Sequence, residues 1–473
     1  MIKEIHKLEE QWTQICGKHL PIFQDEEIWR YNRVISELDP EQGWKLHLAL
    51  TITSCNSILT TIAPFLNQLN IMYKAPKTLT EIKKLNCGLF YGYSQIGKII
   101  TIYPRDEKEA LYVAESLHEL TSHWQGPVIP FDNHFKGIIY YRYGAFTNKH
   151  TIKLKDGGIV PAIKDNTGCL IADKRYSRDS SPDGIKDPFK KKDSILMKNG
   201  FRVNSYLATS IKVFEAISQR GKGGVYKALN LETKPLTICV LKEGRKNGEV
   251  EWDNKDGYWR INHEIKVLNS LFQYGIKEVP KVHEEFIDGE SRYAVLEYIE
   301  GKNLNDIISK KISIDQALNF SYQVSKFLSK LHDSGWVWRD CKPLNFIVTP
   351  QYSLRPVDFE GACKIGDLEE SPWGTTGYIP PEWDCLPYDT PLEALDLYSL
   401  GATLHHIFSS KIPKSNKFEA IGKLRKGIPE KVREIIHQLL SENPLSRPTA
   451  LQVKKVLENE IMVRRKSDEQ LVI

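Results

Sequence analysis

The segment VWRDCKPLNFIV, residues 337–348, places three polar residues at short intervals: Asp340, Lys342 and Asn345. A carboxylate can accept the proton of a hydroxyl, and an ammonium group can neutralise a phosphoryl group during its transfer. An amide oxygen can ligate a hard metal ion such as Mg²⁺. These residue types in this order favour the transfer of a phosphoryl group to a hydroxyl.

The elements that would position these residues form a strand-rich segment followed by a helical one. Apolar and β-branched runs predict strands at 211–216, 224–229, 236–242, 282–287 and 292–299, and helices dominate from about residue 304. Lys242 ends one of these strands, and Glu264 lies on the predicted helix after it. Asp358 follows a further short strand.

Several segments of this region resemble the protein-kinase signature set and occur in its order. They are VLKEG, INHEIKVL, WRDCKPLN, PVDFEG, GTTGYIPPE, ALDLYSLG and NPLSRP, and the resemblance covers about residues 211–460. It implies that Lys242 contacts the phosphates of ATP and pairs with Glu264. It also implies that Asp340 accepts the proton of the substrate hydroxyl, while Lys342 neutralises the phosphoryl group.

The same resemblance implies the remaining ligands of the nucleotide and the metal. Asn345 and Asp358 would hold Mg²⁺, and Glu297 would lie at the nucleotide. Glu382 and Arg447 would pair structurally. The nucleotide loop would be formed by Gly221, Gly223, Gly224 and Val225, where glycine lets the backbone approach phosphates closely.

The kinase pattern is broken at three places. Trp338 stands where a His is expected, and Glu360 stands where a Gly is expected. The glycine-rich loop has Ser218 and Arg220 at two of its three glycine positions. The catalytic acids and Lys342 are present, so we expect an active kinase; a pseudokinase is the alternative.

The N-terminal part of the chain predicts an α+β domain, so the whole protein is expected to be α+β. The stretch 173–194 is rich in Ser, Asp, Lys, Gly and Pro, and predicts a linker or an exposed loop. The expected organisation is an N-terminal domain (1–172), a linker (173–205), a kinase N-lobe (206–300) and a kinase C-lobe with a short charged tail (301–473).

Five basic residues of the N-terminal domain are candidates for handling an anion. Alternation in WKLHLAL places Lys45 and His47 on one face of a strand, although a solvated edge strand would show the same pattern. Arg142 lies inside the apolar strand GIIYYRYGAF, where a charge is costly unless an anion or carboxylate pairs with it. Lys98 follows a Gly-containing turn, and Lys74 alone would be taken for a surface lysine.

Together, GWKLHLAL, YKAPKTL, GYSQIGKIITIYPRD and YYRYGAF resemble the N-terminal region of the class III and IV lanthipeptide synthetases. In that family the N-terminal domain is a phosphoserine/phosphothreonine lyase, and the kinase phosphorylates Ser and Thr of a ribosomally made precursor peptide. The resemblance implies Lys74 as the base and His47 as the acid, whose reference pKa of about 6.5 suits that task. It implies Lys45, Lys98 and Arg142 as phosphate ligands.

This reading makes the protein a bifunctional enzyme that uses ATP, or another nucleoside triphosphate, and Mg²⁺ to dehydrate Ser and Thr of a precursor peptide. The family continues into a cyclase domain, whereas this chain ends in the tail RRKSDEQLVI. Cyclisation is therefore expected to be absent, spontaneous, performed by a separate cyclase, or lost by truncation. Two other readings stay open: a Ser/Thr kinase whose N-terminal domain recognises phosphopeptides, and a pseudokinase scaffold.

Composition limits the other classes of function. A formal net charge of +5 over 473 residues does not favour nucleic acid as a partner. The eight cysteines are scattered singly, without a zinc-binding pattern, and no apolar run is long enough to span a membrane. We therefore expect a cytoplasmic enzyme with reduced thiols.

Overall fold

A seven-stranded sheet lies at the centre of the N-terminal domain in the computed structural model. Residues 2–23, 27–147, 149–155, 157–178, 181–190, 206–367, 373–385 and 390–471 are described. In chain order the N-terminal elements are α1 (Ile2–His19), β1 (Ile22–Phe23), β2 (Trp29–Tyr31), β3 (Gln42–Leu48), α2 (Cys55–Gln68), β4 (Met72–Pro76), α3 (Leu79–Cys87), β5 (Ile100–Tyr103), α4 (Glu107–Thr121), β6 (Asn133–Lys136), β7 (Ile139–Ala145), β8 (Thr151–Lys153), β9 (Ile159–Lys164) and β10 (Leu170–Ala172).

The large sheet has the order β1-β2-β4-β5-β3-β7-β6, and its neighbouring strands are antiparallel. The predicted strand with alternating residues is β3, which lies between β5 and β7 and not at an edge. Its apolar residues Trp44, Leu46 and Leu48 enter the hydrophobic core. The opposite face carries Lys45 and His47, which are also buried, so the solvated-edge alternative is wrong.

Helices cover the apolar side of this sheet: α4 packs on β3, α2 on α4, and α1 on α2. Helix α4 begins at an N-cap, where Asp106 accepts a hydrogen bond from the amide of Glu109 at 2.8 Å. Such an N-cap satisfies one of the amides that a helix leaves unbonded. A second sheet has the order β10-β9-β8.

The stretch expected to be a linker differs from that expectation over its described residues. Asp173 is buried and bonds to Arg142. Phe189 stacks on Tyr141 with ring centroids 4.0 Å apart, and the hydroxyl of Tyr141 donates to Asp187. A few anchoring residues therefore tie a polar stretch to the N-terminal domain. The rest of the expected linker, 191–205, lies outside the described residues.

The remaining elements follow the predicted order of strands and then helices. They are α5 (Tyr206–Ser210), β11 (Ile211–Arg220), β12 (Gly223–Asn230), β13 (Thr237–Arg245), α6 (Gly257–Tyr274), β14 (Val282–Asp288), β15 (Ser291–Glu297), β16 (Lys302–Asn303), α7 (Leu304–Ile308), α8 (Ile314–Asp333), β17 (Trp336–Val337), β18 (Phe346–Val348), β19 (Leu354–Pro356), β20 (Cys363–Lys364), α9 (Glu393–Ser409), α10 (Ile421–Leu424), α11 (Glu430–Leu439) and α12 (Ala450–Leu471). Strands β11 to β15 form one sheet in the order β11-β12-β13-β15-β14.

The chain folds as two compact units. The first comprises Met1–Thr237, Leu241–Trp259 and Phe286–Tyr293, so it holds the N-terminal domain together with part of the strand-rich lobe. The second comprises Ile238–Val240, Arg260–Glu285 and Ala294–Ile473. In the second unit, α8 packs against α9 and α12 around a large apolar core.

The fold is mixed helix and sheet, which confirms the predicted class. Over the described part of the chain, every helix is too short or too polar to cross a lipid bilayer.

Candidate functional sites

The N-terminal site is a cluster of ionisable side chains, most of them buried, on one face of the large sheet. Its members are Lys45, His47, Lys74, Lys98, Asp132, Arg142 and Asp173. Strand register aligns them: Lys74 is paired with Thr101, Thr101 with His47, and Lys45 with Arg142. Paired residues in antiparallel strands present their side chains on the same face. Lys74 and His47 therefore share a face, about 10 Å apart across two strand spacings.

His47 is held by a carboxylate that the sequence analysis missed. Its Nδ1 lies 2.5 Å from Oδ2 of Asp132, and Oδ1 of the same carboxylate lies 2.8 Å from Nζ of Lys98. Asp132 thus fixes the orientation of His47 and directs Nε2 away from itself. Burial alone would raise the pKa of Asp132, but the charges of His47 and Lys98 outweigh burial and hold it well below its usual range.

Burial lowers the pKa of His47 to about 4, a shift that Asp132 opposes only in part. The nearby cations Lys98 and Lys45 add to the lowering. The expectation from the sequence, a histidine near its reference pKa of about 6.5, therefore differs from the structure. The shift follows mainly from the burial of the imidazole, and a phosphate dianion bound there would act in the opposite direction.

Arg142 lies in the middle of β7 and is paired with Asp173. Its Nη2 is 2.6 Å from Oδ1 of Asp173 and also donates to the carbonyl of Lys174 at 3.1 Å. The sequence predicted that this arginine needs an anion or a carboxylate, and Asp173 supplies the carboxylate. The Nε of Arg142 is buried without a hydrogen-bond partner among the described residues. One donor of the guanidinium is therefore left for another acceptor.

Lys45 lies beside Arg142 and donates to the carbonyl of Ala145 at 2.8 Å. Gly144 makes room for this arrangement, because a Cβ there would lie 3.0 Å from Asp173 and 3.2 Å from Nζ of Lys45. Burial lowers the pKa of Lys45 well below its usual value, and the charge of Arg142 lowers it further. Burial also lowers the pKa of Lys98.

The site thus gathers more cations than carboxylates. Lys45, Lys98 and Arg142 are all buried beside two acids, Asp132 and Asp173. Cations forced together in this way lower one another's pKa unless an anion joins them. An anion with several acceptor oxygens, such as a phosphate monoester, matches this excess of donors.

Lys74 occupies a different environment on the same face. Its Nζ lies 4.2 Å from the ring centroid of Trp29 and 5.7 Å from that of Tyr31. Burial lowers the pKa of Lys74 to about 8. A lysine with such a pKa is partly neutral near neutral pH and can accept a proton.

The residues of the predicted kinase site Asp340, Lys342 and Asn345 follow β17 in the chain. Asp340 accepts from Nζ of Lys342 at 2.6 Å and from the side chain of Asn345 at 3.0 Å. The hydroxyl of Thr375 donates to the other carboxylate oxygen at 2.7 Å. The sequence analysis did not single out Thr375, although it lies in the motif GTTGYIPPE. These three contacts fix the orientation of the Asp340 carboxylate.

Strand pairing brings the loop of Asp340 beside that of Asp358. β17 pairs with β20, and Asp358 precedes β20 in the chain. Arg339 and Asp358 both have left-handed backbone conformations, with φ of +68° and +70°. Such strain in residues other than glycine concentrates at functional sites. Asp396 fixes this loop by accepting the amides of Trp338 and Arg339 at 2.7 and 2.6 Å.

Trp338, which replaces the expected histidine, contacts the segment of Asp358 and Phe359. Its Nε1 donates to the carbonyl of Asp358 at 2.9 Å, and its ring stacks on Phe359 with centroids 5.1 Å apart. The indole is fully buried. Tryptophan therefore links the two catalytic loops with both a hydrogen bond and a stacked ring.

The other predicted kinase residues lie on the elements expected of them. Lys242 is on β13, and Glu264 is buried on α6, where it accepts the amide of Phe359 at 3.0 Å. The Lys242–Glu264 pair itself stays a prediction. Glu297, at the end of β15, forms an ion pair with Arg355 at 2.9 Å, and its role at the nucleotide also stays a prediction. Arg447 donates to Glu382, which confirms that predicted pair.

Asn345 and Asp358 offer the oxygen ligands that Mg²⁺ prefers. Asn345 uses its Nδ2 to reach the backbone and side chain of Asp340, so its amide oxygen is the atom left for a metal. The side chains of Asn345 and Asp358 therefore provide suitable ligands for Mg²⁺.

Comparisons with known proteins match both halves of the chain. Residues 22–199 match the family described as RamC, N-terminal domain, and residues 212–457 match the family described as protein kinase domain. A probable SapB synthase of Streptomyces coelicolor is 26% identical over 377 residues, which are 76% of this chain and 39% of that protein.

Two kinases are similar over the C-terminal half. A probable serine/threonine-protein kinase of Clostridium perfringens is 26% identical over 52% of this chain and 37% of its own length. The serine/threonine-protein kinase PknA of Mycobacterium tuberculosis is 29% identical over 52% of this chain and 60% of its own length. The matched regions span less than two thirds of the length of each of these three relatives.

Proposed function

The chain belongs to the protein kinase domain family, and we propose that it phosphorylates Ser or Thr of a peptide and then eliminates the phosphate. The product is dehydroalanine from Ser and dehydrobutyrine from Thr. The observation that carries the proposal is the N-terminal site: buried cations in excess of carboxylates, on the same sheet face as a lysine whose pKa is about 8. The similarity to a SapB synthase supports a biosynthetic peptide as substrate.

In the first step, Asp340 orients the hydroxyl of the substrate and accepts its proton as the oxygen bonds to the γ-phosphorus of ATP. Lys342, which contacts Asp340 at 2.6 Å, lies beside the transferring group and neutralises its charge. Asn345 and Asp358 would hold Mg²⁺, which would shield the charge of the phosphates. The products are ADP and a phosphoserine or phosphothreonine.

In the second step, the phosphate binds to Lys45, Lys98 and the free Nε of Arg142. Neutral Lys74 takes the proton from Cα, the Cα=Cβ double bond forms, and the bond from Cβ to the phosphate oxygen breaks. His47, whose pKa rises beside the dianion, donates a proton to the leaving phosphate through Nε2. Phosphate leaves, and the peptide has lost the elements of water overall.

The experiment is mass spectrometry of a Ser- and Thr-containing precursor peptide incubated with the protein, ATP and Mg²⁺. We expect the mass of water to be lost from the peptide. Lys74→Ala and His47→Ala should instead accumulate phosphopeptide, and Asp340→Asn should leave the peptide unmodified. Stable phosphopeptide from the unmutated protein would contradict the second step and would favour a kinase whose N-terminal domain only binds phosphate.

A further inference from the structure

The turn between β11 and β12, which carries Gly221 of the predicted nucleotide loop, contacts the N-terminal domain inside the first compact unit. The amide of Gly221 donates to the carbonyl of Cys87 at 3.1 Å. Cys87 is the last residue of α3, and the helix ends at Gly88 in a left-handed conformation. The carbonyl end of a helix carries partial negative charge and has unsatisfied acceptors. The N-terminal domain thus uses such an acceptor to hold the turn.

The approach at this turn is too close for any residue larger than glycine. A Cβ on Gly221 would lie 1.8 Å from the carbonyl oxygen of Asn86. Asn86 is itself fixed in the N-terminal domain, where its side chain donates to the carbonyl of Leu50 at 2.9 Å. The sequence suggested that this glycine makes room for a phosphate. In the structure it makes room for the N-terminal domain.

A second contact involves the connection between β13 and α6. Glu251 forms an ion pair with Lys83 of α3 at 2.6 Å, and Asn254 accepts a hydrogen bond from Thr53 at 2.9 Å. Trp252, between them in the chain, packs against the hydrophobic core of the N-terminal domain. Three kinds of contact therefore anchor this short segment.

The two anchored segments adjoin the elements that determine nucleotide binding in kinases. The turn at Gly221 is the predicted nucleotide loop. The connection runs from the strand of Lys242 to the helix of Glu264. Kinases regulate their activity through the placement of this loop and this helix.

We propose that the N-terminal domain holds the nucleotide loop and the β13–α6 connection in the placement that binds ATP. Lys83 and Glu251 act as positioning residues on the two sides of this contact. The ion pair holds the β13–α6 connection, and the end of α3 holds the nucleotide loop. The proposal goes beyond the proposed function, because it concerns nucleotide binding and does not depend on phosphate elimination.

The test is a charge exchange followed by titration of the full-length protein with a fluorescent ATP analogue and Mg²⁺. Lys83→Glu and Glu251→Lys each place like charges together at this contact. Each is expected to raise the Kd for the analogue at least about fivefold, which corresponds to about 1 kcal/mol. The double variant Lys83→Glu/Glu251→Lys restores the attraction and should restore the affinity.

Lys136→Glu is the matched control, because Lys136 pairs with Glu115 at 2.7 Å within the N-terminal domain and away from the anchored connection. It should leave the Kd unchanged, and thermal unfolding should be similar for all the variants. Unchanged affinity in the single variants would overturn the proposal. So would a loss of affinity that the double variant fails to restore, or an equal loss in the control. Failure of phosphate elimination would affect none of these results.

Discussion

Lys74 and His47 lie on the same sheet face, and burial lowers the pKa of both, to about 8 and about 4 respectively. In the proposed elimination the lowered pKa of Lys74 is favourable, since only the neutral amine could remove a proton from Cα. For His47 it leaves the free imidazole neutral at physiological pH, so this account requires the bound phosphate to supply the negative charge that protonates it. Binding of the phosphorylated substrate would therefore protonate His47 and make it the catalytic acid.

The rate of elimination should follow the titration of Lys74. A lowered pKa means that the neutral amine becomes populated at lower pH than in an ordinary lysine, and below pH 8 its fraction falls about tenfold per pH unit. Elimination from a phosphopeptide should therefore rise between pH 6.5 and 8 and level off above that. A rate that does not change with pH in this range, or one that rises with a midpoint near 10, would exclude Lys74 as the base.

Asp132 is the residue through which His47 and Lys98 are held together, and Asp132→Asn tests that role. The side-chain amide of this variant carries no negative charge between His47 and Lys98. It can no longer fix the imidazole of His47 in the same tautomer. We expect elimination to fall by roughly 10²–10⁴-fold, while phosphorylation of the same peptide continues at its original rate. Equal loss of both activities would indicate general misfolding instead.

At the level of the elements, the sequence predicted the strands and helices well and the packing of polar stretches poorly. Alternation in β3 is a local signal, and it correctly predicted a strand there. Asp132 and Asp173 were missed, because a single Asp after an apolar segment has no periodic pattern. Burial among cations gives these residues their role, and burial depends on contacts between residues distant in the chain.

Trp338 links two loops of the second unit, and the sequence alone marked it only as a departure from the kinase pattern. Trp338→Phe retains an aromatic ring but removes the donor to the carbonyl of Asp358. The loss of one buried hydrogen bond of about 1 kcal/mol should lower the kcat of phosphorylation roughly fivefold to tenfold. Steady-state kinetics of peptide phosphorylation measures this change in kcat.

Trp336→Phe is the control for that variant, because the indole of Trp336 donates to Ser270 at 3.2 Å and not to the loop of Asp358. It removes a comparable bond from the same region of the chain. If both variants lose kcat equally, the effect is not specific to the contact between Trp338 and Asp358.

At the level of the whole molecule, the predicted resemblance is confirmed: a region that matches the RamC N-terminal domain precedes a protein kinase domain. Each has its own cluster of polar residues, and the kinase cluster was the easier to predict. Asp340, Lys342 and Asn345 lie within one short loop, so their spacing in sequence nearly determines their spacing in space. The N-terminal site draws on three strands and three loops, so only the family resemblance linked its residues.

In the proposed reaction, phosphorylation prepares the peptide for elimination. A phosphoryl group placed on Ser or Thr is normally a stable mark, but here it would be the leaving group for the N-terminal site. If so, the two activities should separate cleanly by mutation: variants of the sheet face should stop the reaction at phosphopeptide, and variants of the Asp340 loop should stop it before that point.

A synthetic peptide carrying one phosphothreonine, supplied without nucleotide, provides the decisive measurement. At a peptide concentration that saturates binding, mass spectrometry and a phosphate assay should detect dehydrobutyrine and one equivalent of inorganic phosphate, and Lys74→Ala should produce neither. Bound phosphopeptide that remains intact, or phosphate release that regenerates threonine, would contradict the account.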